Sequence, residues 1–519
     1  MQESKSYRIL PADTVPFHNG ADECVGTGRM GLALQKEYQD QLALVQREIG
    51  FKHIRGHGLF CEDMAIYQEY KDENGNVVPE YNFTYLDMVM DSYRKVGLRP
   101  FLELGFMPKA LASGEQTVFY WNGNVTPPKS YNAWCALVQA TLRHLMERYG
   151  ADEVVTWPVE VWNEPNLAGF WKDADQKEYF HLFERTFAAV KEVDARFQVG
   201  GPACCGGTDE IWIRAFLEFC SDKKIPVDFI SRHHYTIDQP EFVGHCGYAK
   251  LNEPEAGLAN LHTTREITDS FPQYRGLPIH VTEFNTSYNP RTPLHDTNQN
   301  AAYIAQQLSR LGDDNETYSY WTFGDIFEES GVPFTPFHGG FGLVANGCIP
   351  KPTFWTFRFY KDLQGTCVHR SDDAVIVKKA DGRYCGVAWN LSLYRTGRAL
   401  SLQFRLPADR AEEWCLLTKT VDETTCNPLK MWHDMGEPAS PSEAQNTLLR
   451  QAAVPFLATE QKFAENAELS LQLSLQENAV VYFELTPVKR QNDRGFSYAR
   501  TMRGEAPESA KQDVAGAKA

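Results

Sequence analysis

The chain has 519 residues, of which 43% are hydrophobic and 23% charged, and its formal net charge is −17. This length exceeds one ordinary hydrophobic core, so two domains, or a barrel with an accessory domain, are expected. The acidic balance excludes a nucleic-acid backbone or an anionic membrane surface as the main partner and favours a neutral ligand.

The N-terminus predicts neither export nor anchoring. MQESKSYRIL lacks a basic segment followed by an apolar one, and the chain has no apolar run of about 18 residues. We therefore expect a cytoplasmic protein without membrane contact. The twelve cysteines include no CxxC pair, so neither a disulfide framework nor a thiolate metal site is predicted.

From residue 24 to 363, short β-rich runs alternate with amphipathic helical stretches, which is the pattern of a (β/α)₈ barrel. The eight β-rich runs are 24–30, 51–57, 98–106, 154–162, 197–203, 227–235, 277–285 and 318–326. The stretch 131–150 illustrates the helical pattern, because its apolar residues recur on one helical face. A doubly wound open sheet is the weaker interpretation, since no GxGxxG or P-loop motif is present.

The pattern changes after the predicted barrel. Residues 364–488 contain alternating strands without intervening helices and predict a β-sandwich, to which a strand from residues 1–23 is expected to add. Residues 489–519 are polar, with few apolar side chains, and predict a flexible tail.

Two glutamates follow strongly apolar runs at the strand ends where barrels of this type carry their active sites. Glu164 ends the fourth run, after VEVW, and Glu283 ends the seventh, after PIHVT. A buried carboxylate can also be a salt-bridged structural group, but two of them in one barrel favour a pocket with a paired site. Such a pair is the apparatus for cleaving glycosides, with one proton donor and one nucleophile or base.

Further motifs sharpen this interpretation. WNEPN followed by FW, RGHGL, SRHHYT, HVTEFNTSY and YWTFGDIFEE together resemble glycoside hydrolase family 39, a β-xylosidase family within the retaining barrel clan A, over roughly residues 1–490. By that resemblance Glu164 is the acid/base and Glu283 the nucleophile. The acid must have a raised pKa, which a negative Glu283 about 5 Å away would supply.

The resemblance also implies residues around the pair. Asn163 is expected to hydrogen-bond the sugar 2-hydroxyl, and Arg55 to hold Glu283 ionised. His57 and His233 resemble sugar-hydroxyl ligands, and Tyr235 lies on the same strand face as His233.

The remaining expected substrate contacts come from loops and from the last strand. Tyr288 is expected to donate to the nucleophile or to the ring oxygen of the sugar. Trp321 is expected to form the floor of the subsite that binds the reacting sugar. Phe170 is expected to crowd C5 and so favour a pentose. Either Glu328 or Glu329 is expected to bind distal hydroxyls, with Glu329 preferred.

The sequence thus predicts a retaining exo-β-D-xylosidase that acts on xylo-oligosaccharides. An α-L-iduronidase or another clan A glycosidase is the alternative enzyme, and a non-catalytic carbohydrate-binding protein the alternative of another class. No cofactor or metal is expected, since no HExxH motif is present. Family resemblance suggests a homo-oligomer, specifically a tetramer.

Overall fold

The computed structural model describes residues 2–408, 412–489 and 495–503. Eight parallel strands form a closed barrel in which each strand pairs with the next in the chain and the last pairs with the first. Numbered 1 to 8 along the chain, the barrel strands are Cys24–Arg29, His53–His57, Arg99–Leu104, Val159–Val161, Val199–Cys204, Phe229–Tyr235, Ile279–Asn285 and Thr317–Tyr320. The barrel predicted from the eight β-rich runs is therefore confirmed.

Helices between and after these strands surround the barrel. They are Lys36–Glu48, Thr84–Lys95, Tyr131–Tyr149, Ala151–Val154, Gln176–Val193, Asp209–Lys223, Pro254–Ser270, Asn298–Leu308 and Pro352–Lys361. The predicted helix at 131–150 begins after Ser130, whose side chain caps it by accepting a hydrogen bond from the Ala133 amide. Its apolar stripe is buried, because this face packs against the barrel.

Barrel strand 4 is shorter than the apolar run that predicted it. The run 154–162 begins inside the helix Ala151–Val154, and the strand itself starts only at Val159. Between them, the amides of Thr156 and Trp157 donate to carbonyls of the preceding helix, and Pro158 has no amide to donate. Hydrophobicity alone did not reveal this turn, since both of its flanks are apolar and buried.

Two sheets after the barrel pack face to face as a β-sandwich. One has three strands, in the order Gln2–Arg8, Ala399–Pro407 and Glu468–Leu475. The other has six, in the order Thr366–Arg370, Ala374–Lys378, Tyr384–Trp389, Val480–Pro487, Glu413–Val421 and Phe456–Phe463. Side chains from both sheets, including Phe404 and Phe483, form their common core. The N-terminal strand Gln2–Arg8 pairs in parallel with Ala399–Pro407.

The sandwich differs from its prediction in one respect. Two helices, Pro428–Asp434 and Glu443–Ala452, interrupt the strands that were predicted to follow one another directly. The second helix begins with a capping box formed by Ser442 and Gln445, a local signal present in the sequence. The domain boundaries drawn at residues 23, 363 and 488 stay predictions.

The six-stranded sheet contacts the barrel helices. Tyr482 stacks on Phe359 of the last barrel helix, with ring centroids 5.5 Å apart. Among the described residues, no helix has both the length and the apolar content needed to cross a bilayer. The predicted tail, 489–519, lies mostly outside the described residues, which include a short helix at Tyr498–Arg503.

Four short hairpins lie in the loops after the barrel strands. They are Tyr67–Lys71 with Val77–Tyr81, Thr117–Val118 with Gly123–Asn124, Glu241–Val243 with Cys246–Tyr248, and Val344–Ala345 with Ile349–Pro350. These loops follow the carboxyl ends of the strands, where the polar residues of the candidate site also gather.

Candidate active site

The backbone at the end of barrel strand 4 positions Asn163 and Glu164. Trp162 and Glu164 adopt positive φ angles of 72° and 44°, a conformation that costs a non-glycine residue about 1–3 kcal/mol. Neighbouring strands hold this shape, because the Trp162 amide donates to the Leu104 carbonyl at 3.2 Å and the Glu164 amide to the Ala203 carbonyl at 3.0 Å. Barrel strands 3 and 5 therefore fix the backbone from which both side chains project.

Arg55, on barrel strand 2, is a buried cation in contact with several site residues. Its Nε donates to Glu160 and its Nη1 to Glu283, each at 2.6 Å. Its Nη2 lies 2.9 Å from Glu103 and donates to the side-chain oxygen of Asn163 at 2.9 Å. Burial alone would lower the pKa of Arg55, but the charges of the three surrounding glutamates raise it above its ordinary value. The guanidinium therefore stays charged and orients its acceptors.

Each carboxylate oxygen of Glu283 has a donor. Oε1 accepts from Arg55, and Oε2 accepts from the hydroxyl of Tyr235 at 2.7 Å. Burial raises the pKa of Tyr235 well above its ordinary value, and the charge of Glu283 adds to the effect, so the hydroxyl keeps its proton. Tyr288 was expected to donate to Glu283 or to the ring oxygen, and the hydroxyl bond to Glu283 is made by Tyr235. The Tyr288 side chain is 47% exposed and packs edge-on against the Tyr235 ring.

Glu164 and Glu283 face each other at short range. One carboxylate oxygen of each, together with a ring nitrogen of His233, lie within 4.8 Å of one another. Carboxyl groups roughly 5–5.5 Å apart suit displacement with a covalent intermediate, whereas a gap of about 6.5–9.5 Å leaves room for a water molecule. The geometry therefore suits a proton donor and a nucleophile that act on the same bond.

The carboxyl group of Glu164 is adapted to donate a proton near neutrality. Burial raises the pKa of Glu164 to about 7, against the opposing charges of His57 and Arg55. The sequence suggested the charge of Glu283 as the source of this shift, but burial is the main cause, and the charge of Glu103 adds to it. His233 lies 2.8 Å from Glu164, and burial lowers the pKa of its ring to about 4. The imidazole is therefore neutral at pH 7 and does not hold Glu164 ionised.

A cavity of about 500 Å³ opens in front of the two glutamates. Nine of the eleven site residues predicted from the sequence line it: His57, Asn163, Glu164, Phe170, Tyr235, Glu283, Tyr288, Trp321 and Glu329. The other two, Arg55 and His233, are completely buried behind this wall and bond its carboxylates. The resemblance implied a sugar-hydroxyl contact for His233, which instead bonds Glu164. It implied a contact with Glu283 for Arg55, which bonds that carboxylate.

His57 is oriented from behind by another buried glutamate. Its Nδ1 lies 2.7 Å from Glu103, while its Nε2 lies 3.4 Å from Glu283 and 3.7 Å from Glu329. Burial alone would raise the pKa of Glu103, but the charges of His57 and Arg55 lower it. The sequence does not reveal this contact, because His57 and Glu103 lie on different strands.

Three aromatic rings form one wall of the cavity. Phe119 meets Phe170 edge to face, with centroids 5.2 Å apart, and Trp321 lies beside His57, with centroids 4.7 Å apart. Phe119 was missed in the sequence, because it lies at the tip of the hairpin formed by Thr117–Val118 and Gly123–Asn124 and belongs to no motif. Such a wall suits the C–H faces of a sugar ring.

Glu329, rather than Glu328, lines the cavity. Glu328 forms an ion pair with Arg29 at 2.5 Å, while the backbone carbonyl of Glu329 accepts from the Tyr120 amide at 2.9 Å. Burial, together with the charges of neighbouring glutamates, raises the pKa of Glu329 well above its ordinary value. This shift favours the protonated form of the Glu329 carboxyl group, in which it can both donate to and accept from a hydroxyl.

Within the described part of the chain, one group of side chains has the spacing of metal ligands: Glu164, His233 and Glu283. Its members already bond one another or neighbouring donors. His233 shares its Nδ1 with Glu164, and both oxygens of Glu283 accept from protein donors.

Comparison with known proteins agrees with the motif resemblance. Residues 11–470 match the family model described as glycosyl hydrolases family 39. A β-xylosidase from Geobacillus stearothermophilus is 49% identical over 471 residues, which cover 90% of this chain and 92% of that protein. A β-xylosidase from Caldicellulosiruptor saccharolyticus is 34% identical over 474 residues, with 88% and 93% coverage.

A solved structure extends the likeness to the fold. The crystal structure of a monomeric β-xylosidase from Caulobacter crescentus CB15 superimposes with a TM-score of 0.84 and 31% sequence identity. The match covers 93% of this chain and 100% of that chain, so it includes both the barrel and the sandwich.

Proposed function

The chain belongs to glycosyl hydrolase family 39, and on that premise we propose that it is a retaining exo-β-D-xylosidase. It releases terminal β-linked xylose from xylo-oligosaccharides. The observation that carries this proposal is the approach of Glu164 and Glu283, whose oxygens lie within 4.8 Å of one another. This spacing suits double displacement, and the β-xylosidase relatives support the substrate class.

The first step forms a covalent intermediate. Glu283 attacks C1 of the terminal xylose while Glu164 gives its proton to the glycosidic oxygen, so the C1–O bond breaks and the leaving sugar departs as an alcohol. Arg55 and Tyr235 hold the two oxygens of Glu283 and so aim the carboxylate. The product is a xylosyl ester of Glu283 with inverted configuration at C1.

The second step uses the same groups with reversed roles. Glu164, now ionised, takes a proton from a water molecule that attacks C1, and Glu283 departs as the carboxylate. The two inversions give β-xylose. A pKa of about 7 suits both steps, because the acid and base forms of Glu164 are both populated near neutrality.

The cavity wall supplies contacts for the xylose ring. The Asn163 amide, whose oxygen accepts from Arg55, has its nitrogen left to donate to the 2-hydroxyl. His57 and Glu329 bind the remaining hydroxyls, and Trp321 packs against the ring. Phe170 crowds C5, where a hexose would carry a hydroxymethyl group.

The cavity favours a xyloside over an iduronide. A uronate substrate carries a carboxylate at C5 and needs a cation there. Among the described residues that line the cavity, Arg232 alone is an arginine or lysine, and Asp209 already neutralises it at 2.6 Å. The aromatic wall instead suits an uncharged C5.

A panel of aryl glycosides tests the proposal. The β-D-xyloside is expected to be cleaved, and proton NMR is expected to show β-xylose as the first product. The α-L-iduronide and the β-D-glucoside should be cleaved far more slowly. An α-configured first product would exclude the two-step mechanism, turnover of the iduronide alone would favour the alternative enzyme, and no turnover would favour a binding protein.

The pH dependence should follow Glu164. Only its protonated form can donate, so kcat/KM for xylobiose is expected to fall as the pH rises above about 7, by about tenfold per pH unit. Below that pH the carboxyl group is protonated and does not limit the first step. A dinitrophenyl xyloside, whose leaving group needs no proton, should lack this alkaline decline. An equal decline with both substrates would argue against Glu164 as the donor.

The cytoplasmic location and tetrameric assembly inferred from the sequence stay predictions. The structure is of a single chain.

A further inference from the structure

Part of the cavity wall comes from elements next to barrel strand 4, which leads to Glu164 and pairs with strand 5. This part of the wall consists of Cys205, Gly206, Gly207, Arg232 and Asn260. These residues come from the loop after barrel strand 5, from strand 6, and from the helix Pro254–Ser270. We refer to these five residues as the side branch, to which the reaction steps above assign no role.

Arg232 gives the side branch a buried hydrogen-bond donor. Its residue exposure is only 1%, and its Nη1 donates to Asp209 at 2.6 Å, to Thr264 at 2.6 Å and to the Asn260 carbonyl at 2.9 Å. Its Nε donates to the His233 carbonyl at 3.3 Å. No hydrogen bond from Nη2 is found to any described residue, and the side chain lines the cavity. One end of a fixed guanidinium is thus available to a ligand.

The side branch lies where a leaving group must sit. An acid that protonates the glycosidic oxygen has the departing group on its own side, while the xylose ring occupies the space between Glu283 and the aromatic wall. The loop that forms the branch is tied to strand 4, since the Cys205 amide donates to the side chain of Asn166 at 3.1 Å. Glu164 is close enough to this loop for its charge to contribute to the raised pKa of Cys205, of which burial is the main cause.

The chemistry of the side branch suits an uncharged, hydroxyl-bearing group. Asp209 already balances the charge of Arg232, so Nη2 offers a directed hydrogen bond without a free positive charge. Asn260 is exposed and lines the cavity, so its side-chain amide offers a second polar group. Gly206 leaves Nη2 uncovered, because a Cβ at this position would lie 3.3 Å from it.

We propose that the side branch is the subsite for the leaving sugar, in which Arg232 Nη2 and the Asn260 amide bind hydroxyls of the second residue of a xylo-oligosaccharide. This inference rests on the proposed xylosidase function. The subsite also predicts a difference between xylobiose and aryl xylosides that the xylosidase function alone does not predict. An aryl leaving group has no hydroxyls for Arg232 and Asn260 to bind.

Two substitutions test the subsite without removing a buried charge. Gly206→Ala covers Nη2 with a methyl group, in a backbone without positive φ and with the next atom 3.9 Å away. Asn260→Ala removes the exposed amide but keeps the carbonyl that Arg232 uses. Each should lower kcat/KM for xylobiose about 3- to 10-fold, as expected for one lost hydrogen bond, and leave an aryl β-xyloside within about twofold of wild type.

Gly169→Ala is the matched control, because a Cβ at this position meets no atom within 4 Å and the backbone has no positive φ. Gly169→Ala should leave kcat/KM unchanged for both xylobiose and the aryl β-xyloside. An equal loss on both substrates, or no loss on xylobiose, would overturn the proposed subsite.

A binding measurement separates this inference from the proposed function. Xylobiose affinity is measured by calorimetric titration in a Glu283→Gln background, which requires no turnover. The Gly206→Ala change is expected to weaken binding about 3- to 10-fold. Unchanged affinity would overturn the subsite, even if the enzyme is a xylosidase. Weakened affinity would support the subsite, even if the wild type cleaved no xyloside.

Discussion

Glu283→Gln is expected to lose on the order of 10⁴-fold or more in kcat on an aryl β-xyloside, because an amide cannot form the glycosyl ester. The variant should fold normally. Its amide oxygen can still accept from Arg55, and Arg55 keeps its contacts with Glu160 and Glu103. Steady-state kinetics and thermal unfolding of the same preparation measure the two effects.

The matched control for this variant is Glu218→Gln, which makes the same chemical change on an exposed helical position. It should retain wild-type kcat. A smaller variant, Glu283→Ala, should regain turnover with azide and yield α-xylosyl azide, since a single displacement inverts C1. Residual kcat within about tenfold of wild type in Glu283→Gln would contradict the nucleophile assignment.

The Glu283→Gln variant separates two possible causes of the raised pKa of Glu164, which are burial and the charge of Glu283. Burial is the larger cause in the structure, so the pKa of Glu164 should stay near 7 when the charge of Glu283 is removed. Carbon-13 NMR titration of labelled glutamate measures it. A fall to the ordinary range of a glutamate would restore the charge of Glu283 as the main cause.

Glu164→Gln is expected to produce the second large effect, and its size should depend on the leaving group. On xylobiose, which needs protonation of its leaving oxygen, kcat/KM should fall about 10²–10⁴-fold. A dinitrophenyl xyloside should react almost normally in the first step and then stall as the xylosyl enzyme, because no base activates water. Stopped-flow kinetics should show a burst of dinitrophenol equal to the enzyme concentration.

Azide provides the stereochemical control for this variant. It needs no base, so it should release the stalled intermediate and give β-xylosyl azide, the opposite anomer to that from Glu283→Ala. The Glu328→Gln variant is the matched control, because Glu328 is the neighbour of Glu329 that pairs with Arg29 and does not line the cavity. It should show no burst. An equal loss of kcat/KM on both xylosides in Glu164→Gln would argue against an acid/base role.

The fold holds the backbone around Asn163, and with it the Glu164 side chain, in a fixed conformation. Positive φ angles at Trp162 and Glu164 are held by strands on either side and by a bond from the Trp162 ring nitrogen to the Phe170 carbonyl at 2.8 Å. This contact joins the loop of the acid to the aromatic wall. The loop that carries Glu164 and the aromatic wall that contains Phe170 are therefore held in position by the same set of contacts.

The sequence by itself was sufficient to predict the barrel and both glutamates. Strand and helix periodicities are local properties, and a polar residue that ends an apolar run marks the carboxyl edge of a parallel strand. Glu164 and Glu283 could be found in this way, because each lies at such an edge. The same reasoning points to His57, Asn163 and Trp321, which line the cavity.

The way in which the side chains combine depends on tertiary contacts that the sequence does not reveal. Arg55 contacts Glu160 on another strand, and Tyr235, rather than Tyr288, donates to Glu283. Phe119 reaches the aromatic wall from a separate loop. Barrel closure determines which strand ends meet, and loop conformation has no sequence period that could reveal it. The pKa of Glu164 could not be predicted from the sequence either, because burial depends on all the groups packed around the carboxyl group.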